Sequence, residues 1–464
     1  MSAREAIAAV TASFTEHHLP MDQAPSDGPL GWTGYADSRA RATDRTGEEE
    51  SVLHGVAVVD GHSCVLVSFE FGFLGGSLGS RTGDRLEAAY ALAGEQRLPL
   101  VSLVATGGSR MQEGMIALVQ LQRVAAASAL LRAAGLPQIA VLRDPTTGGG
   151  WATVGAGADV VLALPGAQIG FGGSRVRPPD ADPYAYSAEG QLAAGQIDAI
   201  VPAGELPRTL SRWLRALTVP GPAQAAPVPA ALSATGLPET GWDAVEQARS
   251  AARPRAEAYL DAYFDHRLPL NGDRCGGTDP GLLGGVGLRG GQPVAYVAQC
   301  GTATRPAGYR TAARVIRLAD RLGLPVLTLI DTPGAANDAE AERTGAGAAI
   351  ADTFAAIASA RVPVTTLVIG EGGSGGALAL AAPDNTHVTA DSYFSVIAPE
   401  LAAAILKRGP DQVRSTADQL RLRPQDLVDL GIARSVVGPA GQAGNWPASR
   451  RTWSSWSCAE RDQT

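Results

Sequence analysis

Lysine is almost missing from this chain. Lys407 is the only one, among 38 basic residues. An anionic ligand must therefore be met by arginine or by backbone N–H groups. Aromatic residues make up only 5%, so the cores must be built from alanine, valine and leucine. The cysteines are Cys64, Cys275, Cys300 and Cys458, and no two stand in CxxC spacing. That argues against a zinc knuckle and for free thiols in a reducing compartment. No apolar run reaches the roughly 18 residues of a membrane span. The N-terminus lacks the basic region and apolar core of a signal peptide. A cytoplasmic protein without a membrane role is the expectation. A net charge of -8 and a pI near 5.4 argue against nucleic acid as a partner.

Glycine, by contrast, is abundant: 56 of 464 residues. It concentrates in two turns, Thr106-Gly107-Gly108-Ser109-Arg110 and Gly372-Gly373-Ser374-Gly375-Gly376-Ala377. Each follows an apolar run of strand type and precedes a helix-like stretch. The leading N–H groups of a helix have no carbonyl partner inside it, and the dipole there favours negative charge. Such a turn holds an oxyanion without a charged side chain. Two of them point to chemistry in which two carbonyl oxygens become negative.

The length suggests two domains. Residues 1–50 are polar and mixed, and read as a loosely held lead-in. From Gly55 a hairpin follows, turning at Asp60-Gly61. Next come a helix from about Thr82 to Gln96, the strand Leu100–Val104, a helix from about Met111 to Ala134, and a strand beginning at Ile139. The stretch 206–241 contains Pro220, Pro222, Pro227, Pro229 and Pro238. It reads as a linker with one helix, Leu206 to Leu217. The domain plan is then 51–205, a linker 206–241, 242–440 and a tail 441–464.

The second half repeats the first. A shift of 226 positions puts Leu98-Pro99 on Leu324-Pro325, Thr106 on Thr332, Gly108 on Gly334, Pro137 on Pro363 and Gly149-Gly150 on Gly375-Gly376. Strands, prolines and turns matching together without a gap imply two similar α/β domains with parallel strands and helical crossovers. The halves differ chemically. Where the first has Gly107-Gly108, the second has Pro333-Gly334, and proline removes a donor. Each half thus offers one anion site, from different turns.

These residues resemble the carboxyltransferase component of biotin-dependent acyl-CoA carboxylases. The first half is similar to the bacterial acetyl-CoA carboxylase β subunit through Phe69-Glu70-Phe71, Gly75-Gly76-Ser77-Leu78-Gly79-Ser80, Thr106 to Gly114, Leu142 to Gly149 and Ile169-Gly170-Phe171. The second is similar to the α subunit through Trp242 to Pro254, Gly272-Asp273-Arg274, Ile330 to Ala335, Ile369 to Ala379 and Phe394 to Glu400. The resemblance implies an α/β fold of tandem crotonase-like domains (ClpP/crotonase superfamily) with ββα spiral repeats. It implies transfer of a carboxylate from carboxybiotin to the α-carbon of an acyl-CoA, acetyl-CoA to malonyl-CoA or a close analogue.

By the same analogy the Gly107 and Gly108 amides hold the thioester oxygen, and those of Gly376 and Ala377, next to Gly375, hold the ureido oxygen of biotin. No side-chain base is needed. Substrate contacts are expected from Gly76, Ser77, Arg81, Ser109, Arg110, Gly149, Gly334 and Ala335, with Arg81, Arg85 and Arg110 as candidates for CoA phosphates. Glu70 is expected to be a structural hydrogen-bond partner. The β subunit's four-cysteine zinc ribbon has no counterpart here, so no bound metal is expected. Neither a biotin carboxylase region nor a Met-Lys-Met acceptor around Lys407 is present. A separate biotin carboxylase and biotin carrier protein are therefore the implied partners. The family's site geometry further implies a homo-oligomer, at least a head-to-tail dimer with sites at the subunit interface.

Three other readings stay open at this point. Gly372 to Gly376 also fits GxSxG, the nucleophile elbow of a serine hydrolase, although the only later histidine is His387. A decarboxylase of a malonyl-type thioester would keep the same fold. A non-catalytic scaffold would keep the fold and lose the chemistry.

Overall fold

The computed structural model describes residues 1–20, 26–221 and 224–441. The expected tail beyond Gly441, together with Pro222 and Cys458, lies outside the described residues. The chain forms two compact units. One is Met1–Val219 with Arg274–Gly277; the other is Pro220–Asp273 with the chain from Thr278 on.

The first unit is built on a sheet of β1 (Ser13–Glu16), β2 (Val52–Val59), β3 (His62–Phe69), β4 (Leu100–Thr106), β5 (Gln138–Thr147), β6 (Val160–Ala163), β7 (Ile169–Gly170) and β8 (Ala199–Ile200). Its order is β1-β2-β3-β4-β5-β6-β8, with β7 paired to the end of β5. The first three strands are antiparallel, and β2 and β3 turn at Asp60-Gly61 as expected. From β3 onward the pairing is parallel, because each strand returns through a helix. Helix Ser80–Gln96 makes the first crossover, and every residue of β4 is buried. Val65, Leu86, Leu100, Val104 and Leu142 lie in one apolar cluster. Each such side chain contributes about 1.5–3 kcal/mol by leaving water.

The second unit repeats the plan with β9 (His266–Pro269), β10 (Leu282–Arg289), β11 (Gln292–Gln299), β12 (Val326–Thr332), β13 (Val364–Gly373), β14 (Thr386–Thr389), β15 (Tyr393–Ser395) and β16 (Val436–Val437). The order is β16-β14-β13-β12-β11-β10-β9, with β15 on the end of β13. The 226-residue offset holds element by element. Helix Ser80–Gln96 answers to Pro306–Leu322, β4 to β12, helix Gln120–Ala133 to Ala346–Ser359, and β5 to β13. Both β4–β5 and β12–β13 slip register one residue before the turn, at Val104/Thr106 and Ile330/Thr332.

Three expectations are corrected. The lead-in is packed rather than loose: helix Ala3–Val10 buries Ala3, Ala6, Ile7 and Val10, and β1 extends the sheet. Its sequence looked polar because only one helical face is apolar. The Pro-rich stretch is not a free linker. Helix Leu206–Thr218 buries Leu210, Trp213 and Leu214, and further on Tyr263 donates to the Pro227 carbonyl while Thr365 donates to that of Ala226.

Finally, Met111–Ala133 is long and apolar enough, by length and composition, to pass for a membrane span, which the run-length reading missed. It is in fact three pieces: Met111–Glu113, Gly114–Leu118 and Gln120–Ala133. Arg123 on the last piece pairs with Asp84 and Glu87 of helix Ser80–Gln96.

Candidate active site

In the first unit, β4 ends in the turn expected to hold an oxyanion. The Gly107 N–H donates to the Gly75 carbonyl at 2.8 Å, and the Gly108 N–H to Thr106 Oγ1 at 3.1 Å. Both amides are engaged within the fold, which corrects their assignment as the oxyanion donors. The reason is the Gly75-Gly76 turn, which approaches so closely that a Cβ on Gly76 would lie 2.1 Å from the Ala105 carbonyl oxygen. Ser109 continues this contact by bridging to Leu78.

The neighbouring turn, at the end of β5, is different. Gly148 takes φ +68°, and its backbone faces the first turn: a Cβ there would lie 2.8 Å from the Gly108 Cα. A short helix starts at Gly148 and runs into a wider turn, Trp151–Gly155. The Gly148 N–H donates to the Phe171 carbonyl at 3.1 Å. The next two amides, Gly149 and Gly150, are buried, precede the first intrahelical donor, and have no acceptor outside the helix among the described residues. Buried amides without an acceptor are costly, and a ligand oxygen satisfies them.

The second unit has the same device 226 residues on. Ser374 takes φ +59°, in the place of Gly148, and opens helix Ser374–Leu378. Ala377, the fourth helical residue, has the Gly373 carbonyl in its own ladder. Gly375 and Gly376 have none, and among the described residues no group outside the helix accepts from them. The unengaged pair is thus Gly375 and Gly376, one residue earlier than the Gly376–Ala377 pair expected. An added Cβ on Gly375 meets nothing within 4 Å, so the turn is open on that side. The Gly376 carbonyl, left over where the helix stops, accepts from Tyr309 Oη at 3.0 Å and Gln299 Nε2 at 3.2 Å. As in the first unit, the turn after β12 is closed: the Gly334 N–H donates to Thr332 Oγ1 at 3.2 Å, and Ala335 bridges to Thr304.

Arg110 is not available to a CoA phosphate. Its guanidinium is buried on the carboxylate of Glu50, with Nη1 3.0 Å from Glu50 Oε2 and Nη2 donating to the Ser77 carbonyl at 2.7 Å. Ser77 Oγ accepts from Arg110 Nε at 3.1 Å, so this hydroxyl is likewise engaged. Tyr35 accepts from Arg110 and donates to Glu113 Oε1 at 2.6 Å, and Glu113 Oε2 accepts the Ser80 amide at 2.6 Å. Burial pushes the Glu50 carboxyl up, but the Arg110 charge and its hydrogen bonds outweigh this and hold it at about 2. The network ties residues 35, 50, 77, 80, 110 and 113 into one support beneath the first turn. Arg85 donates to the Val52 carbonyl at 2.8 Å, and Arg81 lines a cleft beside helix Tyr35–Thr46. Glu70 accepts from the Ala3 and Gly72 amides and is structural, as expected.

A comparable support in the second unit was missed from sequence. Arg253 and Asp331, both buried, pair through two contacts of 2.9 Å, and Arg255 adds a third at 3.1 Å. Asp331 Oδ1 also accepts the Glu371 amide at 3.1 Å, which links the ends of β12 and β13. The signal for it was Asp331, the one charged residue in strand β12.

The serine-hydrolase reading fails on geometry. His387 contacts Ser435 and Asn385, not Ser374. Among the described residues, no group of three or more His, Cys, Asp or Glu is placed to hold a metal ion.

Residues 31–200 match the family of carboxyl transferase domains, and residues 239–450 the family described as acetyl co-enzyme A carboxylase carboxyltransferase-like. The chain is 40% identical to acetyl-coenzyme A carboxylase carboxyl transferase subunits beta/alpha of Salinispora arenicola, over 94% of this chain and 81% of the relative. It is 34% identical to a probable biotin-dependent acyl-coenzyme A carboxylase beta3 subunit of Mycobacterium bovis, over 89% and 85% of the two chains. Among solved structures, the transcarboxylase 12S hexamer core with hydrolysed methylmalonyl-coenzyme A bound superposes with a TM-score of 0.76 at 20% identity, covering 95% of this chain and 87% of the other. That likeness shows the fold: tandem crotonase-like α/β domains.

Proposed function

The chain belongs to the acetyl-coenzyme A carboxylase carboxyltransferase family, with β-type and α-type halves in one polypeptide, and from that premise we propose how its two glycine turns divide the work. It is a biotin-dependent acyl-CoA carboxyltransferase. In our reading, the Gly149 and Gly150 amides hold the thioester oxygen of the acyl-CoA, and the Gly375 and Gly376 amides hold the ureido oxygen of biotin. Bound carboxybiotin supplies the carboxyl group. The observation that carries the assignment is the match of two pairs of unengaged helix-start amides at one offset of 226 residues.

The physical argument is electrostatic. As the α-carbon loses its proton, negative charge grows on the thioester oxygen. Two fixed N–H groups at a helix start stabilise that charge without reorganising, and one such donor is worth about 2.7–4 kcal/mol. The open face of Gly375 admits a flat oxygen-bearing ring without a steric barrier. The buried ion pairs beneath the turns keep the donors in place.

The biotin is carried, in this proposal, by a separate carrier protein that a biotin carboxylase loads. The active form is a homo-oligomer, at least a dimer. Support comes from apolar side chains left exposed in each unit: Met111, Met115 and Leu130 in the first, Leu401, Ile405 and Leu406 in the second.

The test runs the reaction backwards. The purified chain is incubated with malonyl-CoA, with and without free biotin, and acyl-CoA species are followed by mass. Acetyl-CoA formation that depends on biotin supports the proposal. Equal acetyl-CoA without biotin would make the chain a decarboxylase, and none in either case would leave the two turns without this chemistry.

A further inference from the structure

Arg249 joins three elements of the second unit at the strand that leads into Gly375 and Gly376. It stands in the last turn of helix Gly241–Arg249, where the helix dipole favours a cation. Its Nε donates to Glu371 Oε2 at 2.9 Å, and its Nη1 to Glu400 Oε1 at 2.5 Å. Glu371 belongs to β13, and Glu400 to the first turn of helix Pro399–Ile405. Tyr393 of β15 lies opposite Glu371 in register and donates its hydroxyl to the same Oε2, also at 2.9 Å.

The charges at this point are uneven. Two carboxylates share one guanidinium, and among the described residues no other cation bonds to either of them. Asp331 accepts the Glu371 amide, but its own charge is met by Arg253 and Arg255. The hydrogen bond from Arg249 holds the Glu400 carboxyl below its ordinary range. Burial, and then the Glu371 charge, push the Tyr393 hydroxyl up, so it stays a neutral donor. Removing Arg249 would therefore leave two anions at one place, with only a phenol bonded to Glu371. The Glu371 side chain is 15% exposed, so water screens it poorly. It stands three residues before Ser374, roughly 10 Å of extended chain. An unbalanced carboxylate at that range opposes any negative charge gathered at the helix start.

We propose that Arg249 is a positioning residue for the second cradle. It neutralises Glu371 and pins the end of β13 to helix Pro399–Ile405, so that the Gly375 and Gly376 amides face an oxygen that is gaining charge. This role rests on the assignment of those amides to the ureido oxygen of biotin. It adds one charged side chain to a site otherwise made of backbone donors.

The experiment compares the full chain with Arg249→Met and with Arg249→Met/Glu371→Gln, after their melting temperatures are matched. Hydrogen exchange is followed by mass in peptides spanning residues 370–378, which needs no turnover. Then kcat and KM for malonyl-CoA are measured in the biotin-dependent reaction. Arg249→Met should speed exchange in those peptides alone. It should lower kcat about tenfold, the Coulomb effect of one carboxylate charge at that range, with KM for malonyl-CoA unchanged. The double variant, which lacks the Glu371 charge, should recover most of both. A double variant as slow as the single one overturns the proposal, because a packing role does not depend on that charge. Unchanged exchange in Arg249→Met overturns it as well. If the wild type shows no biotin-dependent turnover while exchange still rises and recovers, the positioning role holds and the carboxyl-transfer reading alone fails. Should Arg249→Met melt early, Arg249→Lys replaces it, keeping the charge and losing the fork that bridges both carboxylates. Its smaller loss of kcat should likewise vanish with Glu371→Gln, and a loss that persists overturns the proposal.

Discussion

Tyr309 donates its hydroxyl to the carbonyl of Gly376 at 3.0 Å, from a helix that lies far away in the chain. The bond sits where helix Ser374–Leu378 has stopped and its carbonyls have no further amides to accept from. It therefore orients the peptide that ends the cradle. Burial pushes the Tyr309 hydroxyl pKa upward, so it stays a neutral donor at working pH. Tyr309→Phe removes it, while Gln299 still holds the same carbonyl at 3.2 Å. A net loss of about 0.5–1.5 kcal/mol is expected. It should appear as a fall in kcat of up to about tenfold, with KM for acyl-CoA little changed. Unaltered kcat would show that the cradle does not depend on this bond.

Gly375 and Gly376 are adjacent but should respond oppositely to a methyl group. At Gly375 the added Cβ meets nothing within 4 Å, so Gly375→Ala should keep the melting temperature. Its methyl would crowd the oxygen held by the amides, and kcat should fall by about 100-fold, the scale of one lost oxyanion donor. At Gly376 the Cβ would lie 2.4 Å from the Ala335 amide nitrogen. Gly376→Ala should therefore lower the melting temperature as well as the rate. A Gly375→Ala variant of full activity would remove this turn from the mechanism.

Glu50 and Arg110 make the first unit sensitive to acid. The folded carboxyl lies at about 2, below its ordinary 4.5, so the folded state binds fewer protons than the unfolded one. The stabilisation is complete above the ordinary value and is lost as pH falls toward 2. Melting temperature should decline over that window. Arg110→Met leaves the Glu50 charge buried without its countercharge, held only by the Ser51 amide and the Thr82 hydroxyl, at a cost of about 3–5 kcal/mol. A flat melting profile between pH 5 and 2 would contradict the pairing.

The His17–His54 contact predicts a separate step at higher pH. Nδ1 of His17 lies 3.2 Å from Nε2 of His54, which fits one shared proton and not two. Burial, then the charges of His17 and Arg85, push His54 down to about 4 from 6.5. The folded state stays neutral there while the unfolded state takes up a proton below 6.5. Stability is thus lost as pH falls from 6.5 toward 4. His17 continues β1, so amides of Ser13–Glu16 should exchange faster at pH 5 than expected from intrinsic rates. His54→Leu should abolish that increase.

Much of this architecture was legible in the residues themselves. Glycine, proline and apolar runs recur at one offset, and backbone geometry leaves few folds for strands and helices so ordered. The helix expected from about Thr82 to Gln96 runs from Ser80 to Gln96, two residues earlier at its start and the same at its end. Local chemistry also marked the turn after β13 as a glycine-rich helix start, but in the first half it pointed to the turn after β4 and not to the one after β5. What it could not tell was which amides are free. That depends on the carbonyl of Gly75 reaching Gly107, and on the Thr106 hydroxyl reaching Gly108, both contacts made only by the assembled sheet. Arg110 looked like a phosphate ligand until Glu50, 60 positions earlier, was found against it. The sequence by itself determined the repeated fold and the kind of chemistry, since those follow from backbone preferences. Tertiary structure alone decided which donors and charges remain open, because an N–H or a guanidinium is available only if nothing distant in the chain has already packed against it.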